Sequence, residues 1–286
     1  MIILILSNKI LFAIINKVIK LNNLNIKIAF FDLDGTLCTH DKKITNNTIN
    51  TLNNLIKKNI HIVLCSGRIN SYLKQYLKQI DKSIYTISNN GALIYNNDLN
   101  KIIISHPLYN KDLDYLWNFS KNTQSSFIIN SINNKYSNEF VKYKEDKIII
   151  NDLNEIKEDK LQLVISNDDI NIMKELEIYI NTKTNLKVIN KSLDYLNEIK
   201  NGHYFFDIVN KNVNKGNAIT DLLKILKINK KNSLCFGDSI NDIEMFKSVG
   251  TSIAMGNSIE EIKNTANYIT DTNDNDGISK FCNKYL

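Results

Sequence analysis

From residue 27 the chain repeats one order of patterns: a short apolar run, a stretch with apolar residues at helical spacing, then another apolar run. Lys27-Ile28-Ala29-Phe30-Phe31 is nearly uninterrupted in its apolar character and closes on acid residues, as a strand buried on both faces would. Ile49, Leu52, Leu55 and Ile56 then recur on one helical face, with Thr45 placed to cap it. His61-Ile62-Val63-Leu64-Cys65 predicts a second buried strand that ends at Ser66-Gly67. A helix over Tyr72 to Leu77 and a strand over Tyr85 to Ser88 continue the rhythm. Such alternation predicts an α/β fold with a parallel sheet covered by helices.

The rhythm is lost after Pro107. Between there and about Asp207, strands (Ser126 to Ile129, Leu161 to Ile165, Tyr204 to Val209) mix with helices (Leu113 to Phe119, Ile172 to Ile180). It then resumes with a helix over Asn217 to Leu226 and a strand over Leu234 to Phe236. A helix over Ile240 to Ser248 and strands over Ser252 to Met255 and Tyr268 to Thr270 complete it. The expected organisation is one split α/β domain, residues 27–107 and 209–286, carrying an inserted α+β domain over 108–208. Residues 1–26 form an N-terminal extension. Its apolar runs are split by Ser7-Asn8-Lys9 and never reach the roughly 20 residues of a spanning helix. A loose extension or an early start assignment leads over an amphipathic surface helix and over a weak signal or anchor.

Composition adjusts this picture in three ways. Asn, Ile and Lys are abundant while Pro occurs once and Gly nine times, so each surviving Gly marks a backbone need. The charge of +6 is spread along the chain, mostly as Lys, which disfavours nucleic acid and suits small anionic substrates. Cys38, Cys65, Cys235 and Cys282 lie far apart with no CxxC spacing, which argues against a disulfide scaffold and for a reducing, cytoplasmic setting. His40, His61, His106 and His203 show no metal spacing and read as structural or surface residues, and Cys65 and Cys235 read as small core residues.

Ligands of open α/β sheets bind beyond the carboxyl ends of the strands. The polar residues there are Asp32-Leu33-Asp34-Gly35-Thr36, Ser66-Gly67-Arg68 and Gly237-Asp238-Ser239-Ile240-Asn241-Asp242. Asp32 and Asp34 are close enough to repel unless a cation is shared or a proton retained. A hard divalent cation with oxygen ligands, most simply Mg²⁺, resolves that conflict, and Asp238 and Asp242 can complete its shell. The plainer reading is a turn with helix-capping acids. Asp274 and Asp276 read as caps of the last helix, and Arg68 as either an ion pair at a helix start or a phosphate contact.

Phe31-Asp32-Leu33-Asp34-Gly35-Thr36-Leu37 resembles motif I of the haloacid dehalogenase (HAD) superfamily. Cys65-Ser66-Gly67-Arg68 is similar to its motif II, Lys215-Gly216 to motif III, and Gly237 to Asp242 to motif IV. The long gap between motifs II and III resembles the Cof-type subfamily with a C2B cap. Ser88 to Ala92, Ala254 to Asn257, Ala266 to Thr270 and Asp276-Gly277 also match it. The resemblance covers nearly everything after residue 26.

The resemblance implies a Rossmann-like core with an inserted C2B-type cap, and a Mg²⁺-dependent phosphatase of small phosphorylated metabolites. Sugar phosphates, nucleotides and pyridoxal phosphate are the substrate classes it suggests. It casts Asp32 as nucleophile, forming an aspartyl phosphate, and Asp34 as general acid and base. Ser66, the Gly67 and Leu33 N–H groups and Asn241 would hold the phosphoryl oxygens, and Lys215 would supply positive charge. Asp32, the Asp34 carbonyl and Asp238 would bind Mg²⁺, with Asp242 supporting the shell and Thr36 stabilising the motif I turn. A phosphomutase and a catalytically silent binding protein are the alternatives. A transport ATPase is excluded, because Asp34 stands where such pumps carry Lys. A monomer or small homo-oligomer is expected.

Overall fold

The computed structural model describes residues 25–80, 85–142, 144–191 and 204–286. The N-terminal extension is therefore almost wholly outside the described residues, as is His203. The strands, in chain order, are β1 (Ile28–Asp32), β2 (His61–Cys65), β3 (Tyr85–Ser88), β4 (Leu93–Asn96) and β5 (Lys101–Ser105). They continue with β6 (Ser126–Asn130), β7 (Lys135–Ser137), β8 (Ile148–Ile149), β9 (Gln162–Asn167) and β10 (Leu186–Lys191). The last are β11 (Tyr204–Asn210), β12 (Ser233–Gly237), β13 (Thr251–Ala254) and β14 (Tyr268–Ile269). The chain divides into two compact units: residues 1–63, 80–82 and 223–286, and residues 64–79 and 83–222.

In the first unit, strands run in the order β14-β13-β12-β1-β2. β1 pairs parallel with β12 (Phe31 opposite Phe236), β12 with β13, and β13 with β14. All five residues of β1 and of β12 are buried, which explains why both read as continuous apolar runs rather than alternating ones. The Phe31 and Phe236 rings stack at 5.3 Å, and Phe281 of the C-terminal helix meets Phe236 edge-on at 5.5 Å. The helix Asn46–Lys57 starts where the sequence places it: the Thr45 hydroxyl accepts from the Thr48 N–H. The motif IV helix differs from the expectation. A short 3-10 turn (Ile240–Asp242) precedes a six-residue α-helix (Ile243–Ser248), because Asp242 folds back to bond the loop ahead of it.

β2 ends in the second unit, where the parallel rhythm gives way earlier than the sequence suggests. β3 and β4, then β4 and β5, pair antiparallel. The β4–β5 turn contains neither Gly nor Pro; Asn100 takes a left-handed φ of 49°, and the Asn96 side chain accepts from the Leu99 N–H. An Asn-rich background concealed that turn. The same unit holds a six-stranded sheet in the order β10-β11-β9-β6-β7-β8, antiparallel except for β7–β8. Its register aligns Phe127, Ile165 and Phe206 in one cross-strand row and Ile129, Leu163 and Ile208 in the next. These alternate residues are buried with Leu113, Leu116 and Trp117 of the helix Asn110–Asn122 and Met173, Leu176 and Ile180 of the helix Ile170–Lys183. That period-2 face packed by helices is an α+β core of its own, drawn from residues 108 to 208.

Candidate active site

In the first unit, β1 delivers Asp32 at its last position and the chain turns at once through Leu33-Asp34-Gly35-Thr36. Gly35 has φ +81°, and a Cβ there would lie 2.5 Å from Asp238 Oδ2, so the turn requires glycine on two counts. β12 ends at Gly237 and hands on Asp238. Asp32, Asp238 and Asp242 each present a carboxylate oxygen, and these oxygens lie within 4.8 Å of one another. Asp32 and Asp242 are buried and Asp238 is half-buried.

Three hydrogen bonds fix this cluster. The Thr36 hydroxyl, itself buried, donates to Asp238 Oδ1 at 2.6 Å. Asp242 Oδ2 accepts the Asp238 N–H at 3.0 Å and the Ser239 N–H at 3.2 Å, which locks the loop that carries Asp238. Asp242 thus organises the backbone while keeping its carboxylate beside the other two. The donor set is oxygen only, with no thiolate or imidazole, and fits a hard divalent cation.

Asp34 stands apart from its neighbour. Its carboxylate is not among the three clustered groups and pairs with Lys42 Nζ at 2.7 Å. Asn241 is exposed and its Oδ1 accepts from the Ser239 hydroxyl at 2.7 Å. Asp276 is at the cap position of the last helix, yet its side chain makes no cap bond there. Instead it accepts from Thr45 Oγ1 and from Asn47 Nδ2, at the start of a different helix. The Thr45 hydrogen bond, then that from Asn47, holds the Asp276 carboxyl below the usual range.

In the second unit, Ser66 is buried at the end of β2, and its Oγ accepts from the Arg68 N–H at 3.1 Å. Gly67 lies against Asn90, whose Nδ2 would be 2.9 Å from a Cβ at that position. Asn90 N–H donates to the Ser66 carbonyl at 3.1 Å, and Asn89 N–H to the Arg68 carbonyl at 3.0 Å. Asn89, Asn90 and Gly91 all have positive φ, a costly run of the sort that gathers at functional loops. Lys215 opens the helix Lys215–Ile225 and is 1% exposed, a burial that an ammonium group tolerates only with anionic or hydrogen-bonding company. Arg68 is exposed and lies over the Tyr72 ring at 5.2 Å. All four cysteines are buried and unbridged. His40 and His106 are exposed and His61 half-buried, and none belongs to a metal-ligating group among the described residues.

The structure thus gathers Asp32, Asp238 and Asp242 in one unit, with Leu33 and Asp34 in the turn that follows Asp32. It gathers Ser66, Gly67 and the Asn89–Gly91 loop in the other, where Lys215 also lies. Sequence reasoning missed Lys42 and Asn257. Asn257 Nδ2 donates to the Gly35 carbonyl at 2.9 Å while its Oδ1 accepts the Asn273 N–H at 3.1 Å, so it steadies the motif I turn. Its place in the matching segment Ala254 to Asn257 was the one available signal. Lys42 has none, since nothing in its spacing separates it from the surrounding lysines.

A family model for haloacid dehalogenase-like hydrolases matches residues 29–282, and the chain belongs to that family. It is an enzyme, a HAD-type phosphatase with a parallel-sheet α/β core. It is similar to the 5-amino-6-(5-phospho-D-ribitylamino)uracil phosphatase YcsE of Bacillus subtilis, 26% identical over 90% of this chain and 95% of that protein. Among solved structures it resembles a haloacid dehalogenase-like hydrolase from Bacteroides thetaiotaomicron. The TM-score is 0.79 and the identity 24%, over 91% of this chain and all of the other. It also resembles BT4131, a sugar phosphatase of HAD subclass IIB, with TM-score 0.70 and 24% identity over 90% and 98% of the two chains. Among the described residues no helix is long and apolar enough to cross a membrane.

Proposed function

We propose that the enzyme is a Mg²⁺-dependent, cytoplasmic phosphatase of small phosphorylated metabolites, working through an aspartyl phosphate on Asp32. The observation that carries this reading is the carboxylate trio of Asp32, Asp238 and Asp242 within 4.8 Å, braced by Thr36, with Asp34 in the same turn as Asp32 but paired with Lys42 instead. In the first step an Asp32 carboxylate oxygen bonds to phosphorus as the bond to the leaving oxygen breaks, and Asp34 gives that oxygen its proton. In the second, Asp34 takes a proton from water as the water oxygen bonds to phosphorus, releasing inorganic phosphate and restoring Asp32. Ser66, the Leu33 and Gly67 N–H groups, Asn241 and Lys215 serve as the phosphoryl-oxygen partners. Bound to Asp32, Asp238 and the Asp34 carbonyl, with Asp242 in support, the cation would offset negative charge during transfer.

Residues 108–208 serve as a C2B-type cap that selects the leaving group; their separate buried core supports this. The names of YcsE and BT4131 point the substrate search toward phosphorylated sugars and polyols. A phosphate-release screen over such esters, nucleotides and pyridoxal phosphate, with and without Mg²⁺, tests the proposal. Turnover of at least one ester that stops on chelation is the expected result. Failure to release phosphate from every metabolite and from a generic aryl phosphate would overturn it.

A further inference from the structure

We propose that Lys42 is a positioning residue for proton transfer, holding the Asp34 carboxylate toward the leaving oxygen and out of the Asp32, Asp238 and Asp242 cluster. The inference rests on the reading of Asp34 as general acid and base. Asp32 and Asp34 sit two residues apart in one turn, and a bound cation would attract both carboxylates. Only Asp32 joins the cluster; the Asp34 carboxylate is met instead by Lys42 Nζ at 2.7 Å.

The backbone is built to deliver that contact. Lys42 has φ 60°, in the left-handed region that long side chains seldom adopt. The turn around it is closed by Thr39 N–H to the Lys43 carbonyl at 2.9 Å and by Lys42 N–H to the Thr39 carbonyl at 3.0 Å. It is tied down from outside as well: His40 N–H donates to Asp274 at 2.8 Å, and Asn273 Nδ2 donates to the Cys38 carbonyl at 2.8 Å. Both partners of the ion pair are substantially solvated, at 53% and 31% side-chain exposure, so stability gives little reason for it. A strained residue in a pinned turn, spent on a weakly stabilising pair, points to placement of the Asp34 carboxylate as its purpose.

Leaving groups separate this role from a general structural one. An aryl phosphate such as p-nitrophenyl phosphate departs as a stable anion and scarcely needs a donated proton. An alkyl phosphate such as glycerol phosphate, or a sugar phosphate, needs one. In single-turnover experiments, which read transfer to Asp32 apart from the hydrolysis step common to both esters, Lys42→Met should therefore slow release of the alkyl leaving group by about 10- to 100-fold while changing release of the aryl one less than about threefold. Lys42→Arg, which keeps the cation, should recover most of the alkyl activity. Equal losses on both esters, or no loss on either, would overturn the role of Lys42 and leave the phosphatase reading intact. A wild-type enzyme inert toward both esters would overturn the phosphatase reading, and this proposal with it.

Discussion

Without a cation the acid cluster is a source of instability, and this can be measured without any substrate. Three carboxylates whose oxygens lie within 4.8 Å repel pairwise. At that separation and an effective dielectric constant of about 20, two unit charges repel by about 3.5 kcal/mol. Part of this is relieved by a retained proton or by solvent around half-buried Asp238, so the recoverable share is smaller, on the order of 1–3 kcal/mol. Asp238→Asn removes one charge and two of the three repulsions, and its amide oxygen can still accept from Thr36. In chelator the variant should be at least as stable as the wild type. Mg²⁺ at about 100 times its Kd adds about 2.7 kcal/mol to the wild type. For a chain of this size that raises the midpoint by roughly 5–10 °C. The variant should respond weakly or not at all. Thermal unfolding followed by circular dichroism, at neutral pH with and without Mg²⁺, reads both effects. A wild-type midpoint indifferent to millimolar Mg²⁺, together with an Asp238→Asn variant less stable than wild type in chelator, would mean that the three carboxylates neither destabilise the fold nor share a cation.

Two further outcomes follow from individual contacts. Thr36→Val keeps the buried shape but removes the 2.6 Å hydrogen bond to Asp238, so Mg²⁺ affinity measured by calorimetry should fall about 10-fold, and unchanged affinity would refute the bracing role. Asp276 has a depressed carboxyl, so its stabilising contribution is present above its unfolded-state value and lost as pH falls through the folded one. Urea unfolding should show the gap between wild type and Asp276→Asn full above about pH 4 and closing below it. A gap independent of pH would contradict the link to Thr45 and Asn47.

Strands buried on both faces were the most legible part of the sequence, because β1, β2 and β12 cannot be mistaken for alternating surface strands. Thr45 was legible as a cap for the same local reason. The β4–β5 hairpin was not, since Asn serves its turn and Asn is everywhere in this chain. At the site, the acids themselves stood out by type and by their position at strand ends. Thr36 was legible as a brace of its own turn but not as a donor to Asp238, and Asn257 and Lys42 were not singled out: all three act through contacts set by the folded turn, across as many as 222 residues for Asn257 and Gly35. Asp276 shows the limit from the other side, as its position at a helix start suggested a cap that its side chain does not make.

On the proposed mechanism Asp32 carries the phosphoryl group. Acid-quenching the enzyme during turnover of a substrate found in the screen, then mapping peptides by mass spectrometry, tests it most directly. A phosphoryl group on Asp32, absent in an Asp32→Asn variant that folds normally and releases no phosphate, is the predicted result. Phosphate release by Asp32→Asn at the wild-type rate would contradict it.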